Sequence, residues 1–450
     1  MGKYLENIGL MQNILHKKTY YIETYGCQMN VYDSELVAGF LEKSGYRSVT
    51  DYKNADVIFL NTCSIRDNAE ETVHRKLENL EYLKKQNPKR MIGVLGCMAQ
   101  NLKDDLMESK PFVDIVLGPD SYRKIPEILE NRNKVNGHFV DTKLSKFEIY
   151  EDLFPTRQSG VNAWVSIMRG CDKFCTFCIV PFTRGRERSR ALDNIVKEVE
   201  NCIDQGFIEV TLLGQNVNSY RTPEGSFPEL LEAVAKVKGL KRLRYTSPHP
   251  RDIDDSLLRV MQENNNICNH IHLPLQAGSD RILKRMNRTY TKKEFLSLAN
   301  KIKSYLPDCA ITTDIIVGFP GETEDEFLDT LDVAEQVGFD NSFMFKYSAR
   351  PGTKAASYSD TVDESIKQNR LERYIALQKI LSLKRNKEKV GKTLNVLVEK
   401  ESKKSKDQWA GRTDGNMWVV FNKTNEKIQD IVPVKILDAK GITMMGERQK

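Results

Sequence analysis

Three cysteines lie within eight residues near the middle of the chain. They are Cys171, Cys175 and Cys178, in the pattern C-x3-C-x2-C. A loop this short can wrap one polynuclear metal centre, because each thiolate can reach a different corner of it. Three thiolates on a four-iron cluster leave one iron without a protein ligand. We therefore expect the loop to hold a centre with an open iron, at which a small molecule binds and is reduced.

The first third of the chain alternates short apolar strands with helices. Strands are predicted over 20–24, 57–60, 91–95 and 114–117, and helices over 33–43, 69–85 and 101–109. Continuous apolar strands between helices favour a parallel sheet with helices on both faces. The pattern predicts a doubly wound α/β domain over 19–135, preceded by an N-terminal extension over 1–18 and followed by a linker over 136–156.

One cysteine follows each of the first three predicted strands, namely Cys27, Cys63 and Cys97. Residues just past the carboxyl ends of parallel strands line one crevice, so these thiols are expected to converge. The alternative is three buried structural cysteines. A zinc site is the weaker metal hypothesis, because structural zinc takes four ligands and His74 and His138 are poorly placed to supply the fourth.

Strand–helix alternation continues on a larger scale over 160–348. Strands are predicted over 164–168, 209–213, 241–246, 270–275, 310–317 and 342–347, with helices between them, for example over 195–205 and 292–305. Six such units predict a partial (βα)6 barrel over 157–388, with its chemistry at the carboxyl ends of the strands. Polar and turn-forming residues gather at those ends, in the stretches LLGQNVNSY, TSPHP, HLPLQAGSD and TDIIVGFPGE.

The last part of the chain, over 389–450, changes to short alternating strands. They are predicted over 394–399, 417–421 and 431–437, around the turn GRTDGN, and they favour a small all-β barrel. Small barrels of this kind can bind oligonucleotides. Trp409 or Phe421 would then stack on bases or fill the barrel.

Composition restricts the class of protein. The 450 residues carry nine cysteines, too few for a disulfide scaffold, and their use suits metal ligands in a reducing compartment. Cys202, Cys268 and Cys309 lack ligand spacing and are predicted to be core residues. The longest apolar runs are too short to span a membrane and the N-terminus lacks the features of a signal peptide, so a cytoplasmic protein is expected. A net charge of +6 permits a nucleic-acid partner without requiring one.

The C-x3-C-x2-C loop resembles that of radical S-adenosylmethionine (SAM) enzymes. The whole arrangement from residue 19 onward is similar to the methylthiotransferase family of that superfamily, which ends in an RNA-binding TRAM domain. The stretches NTCSIRDNAE, GCDKFCTFCIVPFTRGRERSR and HLPLQAGSDRILKRMNRTYT most resemble the branch that inserts a methylthio group at C2 of N6-isopentenyl-adenosine 37 in tRNA. Sister branches usually differ after Asn-Thr-Cys and in the arginine run.

The resemblance implies two [4Fe-4S] clusters, with SAM as methyl donor and radical source. Cys171, Cys175 and Cys178 would hold the radical SAM cluster, and Cys27, Cys63 and Cys97 an auxiliary cluster that carries the sulfur. The candidate SAM contacts are Phe177, Gln215, Asn216, Ser247, His272, Gln276, Asp314, Ile316 and Gly318. The candidate substrate contacts are Arg184, Arg186, Arg188, Arg190, Trp409 and Arg412. No side chain is expected to act as a general acid or base.

The implied partners are a tRNA, an electron donor such as flavodoxin or ferredoxin, and a sulfur or cluster carrier. Two alternatives stay open. One is a sister methylthiotransferase that acts on threonylcarbamoyl-adenosine 37 of tRNA or on an aspartate of a ribosomal protein. The other is an RNA-binding protein whose clusters are structural or sense redox state. An open iron, which structure does not need, argues against the second.

Overall fold

The computed structural model describes residues 18–63, 67–131, 138–157 and 160–449. Their contacts divide into two compact units. The first comprises the residues up to 158 together with 169–172 and 179–188, and the second comprises 159–168, 173–178 and 189 onward. The N-terminal extension predicted over 1–18 lies outside the described residues except for Lys18, and so do residues 64–66 of the motif NTCSIRDNAE.

A six-stranded parallel sheet forms the centre of the first unit. Its strands are β1 (Thr19–Thr24), β2 (Arg47–Ser48), β3 (Val57–Thr62), β4 (Met91–Gly96), β5 (Ile115–Leu117) and β6 (Phe139–Asp141). They lie in the order β2-β1-β3-β4-β5-β6, and every neighbouring pair is parallel. Strands β3 and β4 are buried along their whole length, which explains why their apolar runs are continuous. The predicted doubly wound parallel sheet is confirmed.

The helices of the first unit differ from the predicted ones mainly at their ends. They are Gln28–Lys43, Asp67–Gln86, Cys97–Leu102, Asp104–Ser109, Ile125–Glu130 and Val180–Arg184. All three predicted helices begin earlier than predicted, and two of them begin directly after Cys27 and at Cys97 itself, so cysteines stand at helix starts. The predicted helix over 101–109 is interrupted at Lys103, which has a positive φ of 46°. Strand β6 lies in the stretch predicted to be a linker.

Six parallel strands form the partial barrel of the second unit. They are β7 (Asn162–Ser166), β8 (Glu209–Leu213), β9 (Arg242–Tyr245), β10 (His270–His272), β11 (Ala310–Val317) and β12 (Asn341–Lys346). They pair in the orders β9-β8-β7 and β10-β11-β12. A parallel bridge between Leu243 and Ile267 joins the two sets, and the Cys268 amide donates to the Leu243 carbonyl at 2.8 Å. The predicted (βα)6 arrangement is confirmed.

Helices alternate with these strands and cover the buried core between them. They are Leu192–Asp204, Phe227–Ala235, Asp255–Glu263, Asp280–Arg285, Lys292–Tyr305, Glu324–Val337 and Glu364–Lys387. Three begin with capping boxes, in which Ser226, Thr291 and Thr323 exchange hydrogen bonds with the third residue of the helix. Two-residue strands are also present at Met168–Arg169, Arg188–Ser189, Arg221–Thr222 and Gly225–Ser226. No helix among the described residues is long and apolar enough to cross a membrane.

A closed five-stranded barrel forms the tail of the second unit. Its strands are β13 (Thr393–Ser402), β14 (Ser405–Thr413), β15 (Trp418–Asn422), β16 (Ile431–Lys440) and β17 (Thr443–Arg448), in the order β13-β14-β15-β17-β16. The predicted small all-β barrel is confirmed. Sequence analysis missed β14 and β17, because their alternation of apolar and polar residues is weak. Phe421 is 1% exposed and belongs to the core of this barrel.

The tail is seated at the amino ends of the (βα)6 strands. Arg242 and Arg244, in β9, donate four hydrogen bonds of 2.7–2.8 Å to backbone oxygens of the tail. The acceptors are Asn395, Arg412, Thr413 and Asp414. Arg244 Nε also lies 2.9 Å from the carboxylate of Glu209, at the start of β8. These bonds connect the two barrels through buried charge.

Replacing Arg244 with alanine is expected to lower the free energy of unfolding by about 3–5 kcal/mol, because the buried carboxylate of Glu209 loses the nearer of its two cations. The side chains of Arg244 and Glu209 are 6% and 1% exposed. Urea unfolding followed by circular dichroism measures the loss. Lys236→Ala is the control, since Lys236 and Glu232 are 66% and 44% exposed and such pairs contribute about 0–1 kcal/mol. Equal losses in the two variants would contradict the prediction.

Candidate functional site

The first unit brings together the three cysteines that follow its strands. Cys27 follows β1, Cys63 follows β3 and Cys97 follows β4, and these three strands are adjacent in the sheet. The turn that precedes Cys27 lies against Cys63, because a Cβ on Gly26 would lie only 2.4 Å from Cys63 Cβ. Gly26 has a φ of +121°, which only glycine adopts without strain. The predicted convergence therefore depends on the absence of a side chain at this turn.

Two buried asparagines fix the turns around these thiols. Asn30 Nδ2 donates to Asn61 Oδ1 at 3.1 Å and to the Thr62 carbonyl at 3.2 Å. Asn61 Nδ2 donates in return to the Asn30 carbonyl at 2.8 Å. The Cys27 thiol lies 3.2 Å from Asn30 Oδ1. The helix that begins after Cys27 is thus tied to the end of β3, and the thiols of both turns are held near each other.

The thiols differ in acidity because their surroundings differ. A hydrogen bond from Cys63 lowers the pKa of Cys27 to about 6, against the effect of burial and with help from Arg184. Cys27 also precedes a helix, whose first amides favour a thiolate. Burial raises the pKa of Cys97, although Arg184 opposes this effect. Cys27 is therefore more readily ionised than Cys97 in the absence of metal.

Arg184 is a cation that interacts with this group and is buried with it. Its Nη2 lies 2.8 Å from Asp33 Oδ2, and Arg169 Nη2 lies 2.9 Å from Asp33 Oδ1. Burial opposes the charge of Arg184, but Asp33 and the thiols of Cys97 and Cys27 outweigh it, so the pKa of Arg184 is raised well above its usual value. Sequence analysis assigned Arg184 to substrate, whereas the structure places it 3% exposed beside the first-unit thiols.

Backbone hydrogen bonds hold the C-x3-C-x2-C loop to residues that follow it in the sequence. The Cys171 amide, in the first unit, donates to the Gly185 carbonyl at 3.1 Å. In the second unit, the Thr176 amide donates to the Met286 carbonyl at 3.0 Å, and the Thr176 carbonyl accepts from the Ala355 amide at 2.8 Å. The thiols of Cys171, Cys175 and Cys178 all lie on half-buried residues. All nine cysteines lie among the described residues, and none forms a disulfide.

Arg288 is a site residue that sequence analysis missed. Its Nη1 lies 3.3 Å from Cys175 Sγ, and its other nitrogens donate to Tyr290 Oη and to the Pro274 carbonyl. The side chain is buried, so the guanidinium presents a fixed positive charge to the thiol. The stretch KRMNRTYT contains this residue, but nothing in its pattern distinguishes Arg288 from the basic residues beside it.

Some of the candidate SAM contacts come together at the carboxyl ends of the barrel strands. His272 Nε2 lies 3.2 Å from Asp314 Oδ2, and Thr312 Oγ1 hydrogen-bonds His272 Nδ1 at 3.0 Å. The Gln276 amide donates to the Asp314 carbonyl, and the Ile316 amide donates to the Gln276 carbonyl. Asp314, Gln276 and Ile316 are therefore held side by side, and their contact with SAM stays a prediction.

The other SAM candidates lie in separate surroundings. Asn216 is buried and donates to Asp252, while its Oδ1 accepts from the His249 amide. Gln215 Oε1 is buried and has no hydrogen-bond partner among the described residues. The Gly318 amide donates to Glu322 Oε2 at 2.6 Å. Phe177 is half-buried against the barrel core, and Ser247 is exposed with a φ of +57°. Their roles toward SAM stay predictions.

Most of the candidate substrate contacts are engaged inside the protein. Arg188 is paired with Asp120 at 2.8 Å, and Arg190 with Glu198 at 2.6 Å. Arg186 differs, because its side chain is 72% exposed and forms two hydrogen bonds with Asp172.

The two tail candidates are half-buried. Arg412 is 3.6 Å from Glu209 and 2.5 Å from Glu399. Trp409 packs on the core of the small barrel, and its Nε1 is buried without a hydrogen-bond partner in the described part of the chain. Lys423 Nζ lies 4.3 Å from the centre of the Trp409 ring. Substrate contact by either residue stays a prediction.

The residues of the first unit suit an iron–sulfur cluster. Such clusters are bound through thiolates, and here three thiols converge at one sheet edge. Arg184 Nη1 is buried beside them without a hydrogen-bond acceptor in the described part of the chain, so a negatively charged group fits there. Among the described residues, no three His, Cys, Asp or Glu side chains are close enough to hold a single metal ion. Both sets of cluster ligands stay predictions.

Comparison with known proteins decides the family. Residues 19–118 match the uncharacterized protein family UPF0004, residues 165–334 match the radical SAM superfamily, and residues 387–446 match the TRAM domain. A protein from Bacteroides fragilis named tRNA-2-methylthio-N(6)-dimethylallyladenosine synthase is 48% identical over 438 residues, which is 96% of this chain and 95% of the relative. This chain belongs to the tRNA-2-methylthio-N(6)-dimethylallyladenosine synthase family.

A second member of this family, from Porphyromonas gingivalis, is 48% identical over 440 residues, covering 95% of this chain and 94% of the relative. The chain is thus a radical SAM transferase, and the predicted family is confirmed. A solved structure, the radical SAM methyltransferase TsrM from Kitasatospora setae with cobalamin and a [4Fe-4S] cluster bound, has a TM-score of 0.57. The match covers 76% of this chain and 77% of that one at 13% identity, so it concerns the fold.

In the iron-free protein, alkylation of Cys27 by iodoacetamide is expected to increase through an apparent pKa of about 6, because the thiolate is the reactive form. Cys63→Ala removes the hydrogen bond that lowers this pKa, so the midpoint should move upward. Mass spectrometry of the labelled peptides gives the pH profile. Cys97 is the internal comparison, since burial raises its pKa. Coincident profiles for Cys27 and Cys97 would contradict the prediction.

Proposed function

We propose that this chain inserts a methylthio group at C2 of N6-isopentenyl-adenosine 37 in tRNA, using SAM and two [4Fe-4S] clusters. The observation that carries the proposal is 48% identity over 96% of the chain to relatives named for this reaction product. The cysteines that the product requires are all present. One triplet lies in the C-x3-C-x2-C loop, and the other follows three adjacent strands of the first unit.

In this proposal Cys171, Cys175 and Cys178 hold the radical SAM cluster, and Cys27, Cys63 and Cys97 hold the auxiliary one. The bound cofactors supply the radical from SAM and the methylated sulfur. The protein holds the ligands and tunes their charge. Arg288, 3.3 Å from Cys175 Sγ, places a positive charge beside the first set, and the His272–Asp314 pair offers a fixed acceptor at the carboxyl end of the barrel.

The substrate side of the proposal rests on the tail and on the arginine run. The match of residues 387–446 to the TRAM domain supports binding of tRNA, and a tRNA phosphate would compete with Asp172 for the exposed side chain of Arg186. The base must leave the anticodon-loop stack before its C2 is accessible. We further propose a cytoplasmic location, an electron donor such as flavodoxin or ferredoxin, and a sulfur or cluster carrier as partners. The chain divides in this proposal at residues 135, 156 and 388.

Cells that lack this protein are expected to lose 2-methylthio-N6-isopentenyl-adenosine from tRNA and to accumulate the unmethylthiolated nucleoside. Mass analysis of digested tRNA measures both nucleosides, and a plasmid copy of the chain should restore the modification. Unchanged 2-methylthio-N6-isopentenyl-adenosine would refute the substrate. Loss of the threonylcarbamoyl derivative or of the ribosomal aspartate modification instead would assign the chain to a sister activity.

Reconstituted protein is expected to contain about eight irons per chain, and about four after removal of either cysteine triplet. Cys171→Ala should abolish reductive SAM cleavage, whereas Cys63→Ala should leave cleavage and abolish methylthio transfer. Iron analysis, deoxyadenosine release and tRNA modification are measured on each variant. Equal loss of cleavage in both variants would contradict the separate roles. An intact protein that binds tRNA but cleaves no SAM would favour an RNA-binding protein with structural clusters.

A further inference from the structure

Five charged side chains of the first unit form a buried network next to its cysteines. Asp33 binds one arginine through each carboxylate oxygen: Arg169 at 2.9 Å and Arg184 at 2.8 Å. Asp120 lies 2.8 Å from Arg188 and 3.8 Å from Arg169. All five side chains are at most 7% exposed. Within this network, three guanidinium groups therefore share two carboxylates.

Such an arrangement leaves positive charge in a dry region. Burying a charge without a counter-charge is costly, so a network with a surplus cation is stabilised by an anion close to it. The surplus faces the cysteines through Arg184. The helix that ends at Arg184 packs against the helix that begins at Cys97, so the guanidinium lies beside these thiols. Arg184 Nη1 is buried without a hydrogen-bond acceptor among the described residues, and its charge interacts with Cys97 and Cys27. Asp33 occupies Nη2 of the same group and so fixes its direction.

We propose that Arg184 is a positioning residue for the auxiliary cluster, and that Asp33 fixes its guanidinium against the thiolate ligands Cys27 and Cys97. This inference rests on the proposed function, because it requires a cluster on the first-unit thiols. A [4Fe-4S] cluster with three thiolates is an anion, and it gains a further negative charge on reduction. A buried cation with a hydrogen-bond donor toward the ligands stabilises the reduced form more than the oxidised form, and so raises the reduction potential.

The test uses full-length protein in which Cys171, Cys175 and Cys178 are all replaced by alanine, so that only the auxiliary cluster is present. Arg184→Met in this background is expected to lower the ratio of reduced to oxidised cluster about tenfold at a fixed potential, equivalent to about 59 mV for one electron. Dye-mediated titration followed by electron paramagnetic resonance measures this ratio. Arg186→Met is the matched control, since Arg186 lies in the same segment but is 72% exposed, and it should leave the ratio unchanged.

Arg184→Lys keeps a charge opposite Asp33 and guards against a folding failure of Arg184→Met. A lysine ammonium lacks the planar guanidinium that can bond Asp33 and face Cys97 at the same time. The ratio of reduced to oxidised cluster should therefore fall about threefold in Arg184→Lys. A merely structural role would lower thermal stability and leave the ratio unchanged. An unchanged ratio in a folded Arg184 variant overturns the inference. Absence of iron from the triple-alanine background overturns it together with the second cluster, whereas the nucleoside analysis tests the substrate separately.

The same variants separate this role from contact with tRNA. If Arg184 bound a phosphate, Arg184→Met would weaken tRNA binding and reduce the slope of log affinity against log salt by about one. We expect the slope and the affinity of Arg184→Met to match those of the unsubstituted chain. A reduced slope together with an unchanged reduction potential would return Arg184 to the substrate side and overturn the inference.

Discussion

Parallel strands that end side by side are the constraint on which both candidate sites depend. In the first unit, β1, β3 and β4 are adjacent and in register, so the residues that follow them meet at one edge. Three cysteines dispersed over 71 positions of sequence, from Cys27 to Cys97, are neighbours for this reason. In the second unit, parallel pairing brings His272, the last residue of β10, to Asp314 within β11. Each sheet thus brings candidate site residues together, and the C-x3-C-x2-C loop adds three further cysteines.

Much of this could be predicted from the sequence because its signals are local. The bounds of β8 and β11 match those predicted from apolar runs, and the cysteine positions follow directly from where strands end. Strands β2 and β6 were missed, because two or three residues at the edges of a sheet carry too few apolar positions to form a pattern. Their existence is determined by the neighbouring strands to which they bond.

The arginine run shows what local pattern cannot provide. Four arginines at alternate positions resemble a solvated basic loop, yet Arg184, Arg188 and Arg190 are buried. Asp33 and Asp120, the partners of Arg184 and Arg188, precede them by 151 and 68 residues, a pairing that the sequence does not reveal. Arg288 likewise reaches Cys175 across 113 residues. Contacts between residues far apart in sequence therefore form the charged surroundings of both cysteine triplets. These parts of the sites could be seen only in the folded structure.

The attachment of the tail to the barrel affects which nucleotide of a long substrate can arrive at the barrel. Arg242 and Arg244 bind tail carbonyls at the amino ends of the strands, while His272 and Asp314 lie at the carboxyl ends. A nucleic acid held by the tail would therefore start at a fixed distance from the barrel strands, because hydrogen bonds and not a flexible linker connect the tail to the barrel. Which nucleotide arrives at the carboxyl ends of the strands would then depend on the distance between those ends and the contact of the nucleic acid with the tail.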